Sequence, residues 1–119
     1  MGAVLVVDDD ADLNASIKGA LESADYEVLS AANGREAMNL LRGGLSPSVM
    51  LLDLVMPVMN GWEVLDLFAR DRELQKIPII LMSAQFGNRF IGDPYTMLRK
   101  PFALARLLEL VEHHHRETM

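Results

Sequence analysis

The chain has 119 residues, half of them hydrophobic, which is enough for one domain with a core and too few for two. A formal charge of -6 leaves no basic footprint for direct nucleic-acid binding, and the absence of cysteine removes disulfides, thiolate metal sites and a Cys nucleophile. No apolar run approaches a membrane span and no basic region precedes the first apolar residues, so a cytoplasmic chain without membrane contact is expected.

Ala3-Val4-Leu5-Val6-Val7 is a short β-branched run that stops at Asp8, Asp9 and Asp10, the pattern of a buried strand ending in carboxylates. Leu13, Ile17, Ala20, Leu21 and Ala24 then recur at helical spacing, with Asp12, Asn14, Ser16, Lys18 and Glu22 assigned to the other face and Asp10 to helix capping. Glu27 to Ala31 reads as a second strand. Asn33-Gly34 opens a helix through Ala37, Leu40 and Leu41, which Gly43-Gly44 ends. After Ser46-Pro47, the unbroken run Val49-Met50-Leu51-Leu52 closes on a single carboxylate, Asp53. Pro57 and Asn60-Gly61 mark a loop, and helical spacing resumes from Trp62 to about Arg70. Ile79-Ile80-Leu81-Met82 is a fourth strand, ending in Ser83-Ala84. From Gln85 to Pro94 the glycines and proline allow at most a short or broken helix. Tyr95 to Arg99 is a last strand before Lys100-Pro101. Leu104, Leu107, Leu108 and Val111 give a final amphipathic helix, frayed into a disordered tail over 113–119.

Strands alternating with helices at short connections predict βα units around a parallel, doubly wound sheet over 1–119. In such a sheet the strand ends carrying Asp8 with Asp9, Asp53, Ser83 and Lys100 point to one rim. Crowded carboxylates repel unless a cation joins them, and hard oxygen ligands with room for water suit Mg²⁺. A lysine and a hydroxyl beside that cation are what a phosphoryl group needs, with Asp53 as nucleophile. Taken singly, Asp8 and Asp9 read equally as solvated rim charges, and Ser83 and Lys100 as ordinary loop residues; their places at successive strand ends set them apart.

Val4 to Asp10, Leu51 to Gly61, Ile79 to Ala84 and Lys100-Pro101-Phe102, in that order and spacing, resemble the motifs of two-component response regulator receiver domains, single-domain chemotaxis regulators among them. The resemblance covers the whole chain. It implies a flavodoxin-like (βα)5 fold with strand order 2-1-3-4-5. It also implies that Asp53 takes a phosphoryl group from a histidine kinase or histidine phosphotransfer domain in phosphorelay signalling. Asp8, Asp9, Asp53 and the backbone carbonyl of Val55 would hold Mg²⁺, Ser83 would move to meet the phosphoryl oxygen, Lys100 would pair with it, and the Lys100-Pro101 bond would be cis. On this reading the protein is a switch rather than an enzyme acting on free metabolites. Val55 offers no polar group to position an attacking water, so self-dephosphorylation is expected to be slow, and Ala84 would leave the site open.

Two departures fall in the output half. Met97 stands where the family usually has a switching aromatic, with Tyr95 two residues away as a substitute, and the Ser83–Lys100 segment is short by roughly one helical turn. Both features would suit a pseudo-receiver that binds partners without phosphorylation, although every site residue is present. A haloacid-dehalogenase-type phosphotransferase uses similar groups but requires a second acid where Val55 stands; Asp8 with Asp10 has that spacing but sits in a chain with no room for a cap domain. A flavin-binding flavodoxin relative would place its cofactor phosphate against an acidic rim. Met56 and Met59 are expected to be exposed near the site, the other methionines to fill the core, and Trp62 to pack at the start of its helix. His113, His114 and His115 lack a fixed geometry for a metal.

Overall fold

The run that ends at Asp53 forms the central strand of the sheet, and its five residues are all buried. A computed structural model describes residues 2–84 and 95–117. In it β1 (Val4–Val7), β2 (Val28–Ala31), β3 (Val49–Asp53), β4 (Ile79–Ser83) and β5 (Thr96–Arg99) make one parallel sheet in the order β2-β1-β3-β4-β5. This is the flavodoxin-like topology that the family resemblance implies. Every residue of β1, β3 and β4 is buried, which explains why these runs lack polar alternation: helices cover both faces of the sheet.

Among the described residues the α-helices are α1 (Ala11–Ser23), α2 (Gly34–Arg42), α3 (Gly61–Ala69) and α4 (Leu104–Glu117). Strand alternation sorts them into two layers. Val4 and Val6 of β1 pack with Ile17 and Leu21 of α1 and with Leu107 and Val111 of α4. Leu5 and Val7 face the other way, onto Ala37, Met38 and Leu41 of α2 and Val64, Leu65 and Phe68 of α3. Each helix start has a local cause. The side chains of Asp10, Asn33 and Asn60 accept the free N–H groups of Leu13, Glu36 and Glu63, and Asn60 with Glu63 forms a reciprocal capping box.

The structure departs from the sequence expectations at several places. The final helix continues to Glu117, so residues 113–117 are helical where a disordered tail was expected. Contacts beyond the reach of periodicity hold them: the His114 ring lies 2.9 Å from Thr96 Oγ1, and His115 lies 3.1 Å from Ser48 Oγ and edge-on to Tyr26. A short 3₁₀ turn, Leu74–Lys76, sits before β4 where no element was read. Met56 is buried, contrary to expectation, because the loop after β3 folds back over the α2–α3 layer; Met59 is only partly covered, and Val55 and Val58 are the exposed residues instead. The short or broken fourth helix expected after Ser83 falls on residues outside the described ones.

Candidate functional site

Strand order sets the site. β1 and β3 are neighbours whose connections leave in opposite directions, so a crevice opens between their carboxyl ends, the place where open α/β sheets bind ligands. Asp8 directly follows β1 and Asp53 is the last residue of β3; they are 1% and 4% exposed. Carboxylate oxygens of Asp8, Asp9 and Asp53 all lie within 4.8 Å of one another, with Asp9 the exposed member. Lys100, just past β5, reaches across: its Nζ donates to Asp8 Oδ2 at 2.7 Å and to Asp53 Oδ2 at 3.3 Å. The Lys100 backbone is anchored as well, since its N–H donates to the Ser83 carbonyl at 2.8 Å; the Lys100–Pro101 peptide is cis.

Each acid is held by its own turn. Asp8 Oδ1 accepts the Asp10 N–H at 2.9 Å and Asp53 Oδ1 accepts the Val55 N–H at 3.1 Å. The start of α3 is pressed against the back of Asp53: a Cβ on Gly61 would stand 2.5 Å from the Asp53 carbonyl oxygen, so only glycine fits. In the loop between them Val58 has φ of 70°, the left-handed region that a β-branched residue rarely enters, at a cost of about 1–3 kcal/mol. Ser83, 1% exposed, ends β4 and joins Asp53, Val55, Ala84 and Lys100 around an opening of about 280 Å³. Larger clefts of about 660 and 570 Å³ lie at the opposite end of the sheet, both lined by Ile77 and Pro78, the first also by His115 and the second by His114.

Burial dominates the electrostatics of Asp53. Desolvation raises its pKa from 3.8 to about 6, the Val55 N–H opposes this, the Asp8 charge adds to it, and Lys100 opposes it again. Desolvation pulls the Lys100 ammonium down, but the hydrogen bond to Asp8 and the charges of Asp53 and Asp8 outweigh it, so its pKa is raised. Among the described residues, three carboxylates against one ammonium leave a surplus of negative charge that a divalent cation would balance. All the donors are hard oxygens and one side of the group is open to water, a set that fits Mg²⁺.

A sequence model of the response regulator receiver domain matches residues 4–112. The chain belongs to the response regulator receiver family. Its receiver sequence is 37% identical over 117 residues to the transcriptional regulatory protein PrrA of Mycobacterium bovis, covering 92% of this chain and 48% of PrrA. It is 32% identical over 121 residues to the chemotaxis protein CheY1 of Helicobacter pylori, covering 91% of this chain and 94% of that one. A CheY-like receiver domain protein from Methanospirillum hungatei superposes with a TM-score of 0.82 at 29% identity, over 98% of this chain and 96% of its own. The receiver spans about half the length of the first of these curated relatives. Receiver domains are in general signalling modules rather than enzymes; they work with histidine kinases or phosphotransfer proteins and typically bind Mg²⁺ at an acidic cluster.

Of the residues singled out in the sequence, Asp8, Asp9, Asp53, Ser83 and Lys100 converge on this rim. Met97 pairs with Leu81, before the strand end, and is 48% exposed. Tyr95 precedes β5, is half-buried against the α2–α3 layer, and stands still farther from Ser83 along the strand. Asn14 was read as solvent-facing and is buried instead. Its spacing to Ile17 and Leu21, three and seven residues on, puts it on the apolar stripe, and that signal was available in the sequence.

Proposed function

We propose that this receiver accepts a phosphoryl group on Asp53 from the phosphohistidine of a kinase or phosphotransfer domain and acts as a phosphorylation-dependent switch. The observation that carries the reading is a nearly buried carboxylate gripped by Lys100 beside two further acids, at the mouth of an opening. An Asp53 oxygen attacks phosphorus, the O–P bond forms as the donor N–P bond breaks, and the donor imidazole leaves with its electron pair and takes up a proton. Asp8, Asp9, Asp53 and the Val55 carbonyl would hold Mg²⁺. When bound, the ion neutralises charge on the phosphoryl oxygens.

The protein's own groups do the rest. Lys100 already bridges Asp8 and Asp53, so it needs little movement to meet a phosphoryl oxygen attached to Asp53. Ser83, ending the neighbouring strand at the same opening, supplies a hydroxyl to another oxygen. Val55 presents an exposed apolar side chain where a polar one could orient water, which supports a long-lived phosphoryl state. The exposed Met97 favours a second reading, in which the receiver binds partners without phosphorylation.

Intact-protein mass spectrometry after incubation with acetyl phosphate separates the two. A single phosphoryl adduct is expected on the wild type with Mg²⁺, and none on Asp53→Asn or after chelation. An unmodified wild-type chain under every condition would support the partner-binding reading and overturn the phosphoryl one.

A further inference from the structure

A carboxamide buried among aliphatic side chains is costly unless its donors are used, and Asn14 of α1 sits at 9% exposure on the stripe that carries Ile17 and Leu21. Its Nδ2 donates to two backbone carbonyls, Asp8 O at 3.0 Å and Ala31 O at 3.3 Å. These carbonyls lie where the β1–β2 ladder stops. Ala31 O also accepts the Asp8 N–H at 3.1 Å, so the amide of Asn14 carries the hydrogen bonding past the end of both strands. Its effect falls on the peptide that joins Asp8 to Asp9, because a carbonyl held by a buried donor cannot rotate.

The two acids on either side of that peptide differ. Asp8 is pinned independently, with Oδ1 on the Asp10 N–H at 2.9 Å and Oδ2 on Lys100 at 2.7 Å. Asp9 is exposed, and its carboxylate takes no hydrogen bond or ion pair among the described residues, so only the backbone aims it at the other two acids. We propose that Asn14 is a positioning residue for the cation site, fixing the Asp8–Asp9 peptide so that the Asp9 carboxylate converges with Asp8 and Asp53. The inference rests on the reading of that cluster as a Mg²⁺ site. It assigns Asn14 the part that groups behind a metal's ligands commonly play, where substitution weakens metal binding by about 10–100-fold.

Calorimetric titration of the metal-free receiver with Mg²⁺, without phosphodonor, tests it. Asn14→Leu keeps the bulk and removes both donors. Ile17→Val, one turn along the same stripe, loosens the same helix and leaves both carbonyls bonded. Asn14→Leu is expected to bind Mg²⁺ about tenfold more weakly or worse, with Ile17→Val matching the wild type. An Asn14→Leu isotherm equal to the wild-type one overturns the inference alone, and so does equal weakening in both variants. A flat wild-type titration overturns the Mg²⁺ reading beneath it. Should Asn14→Leu fail to fold, Asn14→Ser, which keeps one hydroxyl donor, is titrated instead, with weakened binding expected and unchanged binding overturning the proposal.

Discussion

On the proposed function Asp53 must be ionised to attack phosphorus, yet it sits at 4% exposure beside a second carboxylate, and desolvation lifts its pKa to about 6. The sign of the consequence follows from linkage. The folded state holds the Asp53 proton more tightly than the unfolded chain, whose value is 3.8, so the metal-free receiver loses stability as pH rises between those values. The loss levels off once the pH is well above 6. Asp53→Asn is therefore expected to be more stable than the wild type in chelator at pH 7, with the gap closing as pH falls toward 4. Denaturant melts across that range measure it, and Mg²⁺ should narrow the gap by stabilising the wild type preferentially. A second consequence concerns Val55. Replacing it with Asn or Glu gives water an acceptor beside the phosphoryl group, and the phosphorylated protein's half-life, followed by intact mass, should shorten by about tenfold. An unchanged half-life would remove Val55 as the cause of persistence.

At the scale of elements, the length of α4 carries the largest departure from the sequence reading. Truncation after Glu112 removes the His114–Thr96 and His115–Ser48 hydrogen bonds and the His115–Tyr26 ring contact. It is expected to destabilise the receiver by about 1–2 kcal/mol in thermal or urea melts; an unaltered midpoint would return these residues to the status of a tail. The reason the extension was hidden is general. Periodicity reports apolar residues meeting a core, so it traced α4 through Leu107 and Val111, whereas the histidines dock through polar contacts to the starts of strands far away in sequence. The buried runs β1, β3 and β4 were legible because helices cover both their faces, and the cap at Asp10 because a short polar side chain precedes its helix, whereas Asn33 and Asn60, read as turn and loop markers, also cap theirs. Asn14 was misassigned because residue type outweighed its spacing. Met56 was misplaced because nothing local says that a loop will fold back over its own layer.

On the scale of the whole molecule, parallel order turns four distant stretches into one rim. Asp8 and Lys100 are 92 residues apart in sequence and share a 2.7 Å hydrogen bond. Strand ends ranked these residues in advance, since every parallel strand delivers its C-terminal residue to the same side. The distances among them, and the depth to which Asp8 and Asp53 are buried, depend on packing that a sequence does not display. Met97 on the edge strand is exposed, so any signal leaving through this face meets a flexible thioether rather than an aromatic ring. On the proposed function, the acids, Ser83 and Lys100 carry the phosphoryl chemistry, whereas Met97 on β5 pairs with Leu81 rather than with Ser83.

The most direct test of this account is to locate the phosphoryl group chemically. Borohydride reduces an aspartyl phosphate to homoserine, and peptide mass spectrometry of the acetyl-phosphate-treated, reduced receiver reads the position. Homoserine at position 53 alone, dependent on Mg²⁺ and on Lys100, is the predicted result. A phosphoryl group mapped to any other residue, with Asp53 recovered unreduced, would contradict it.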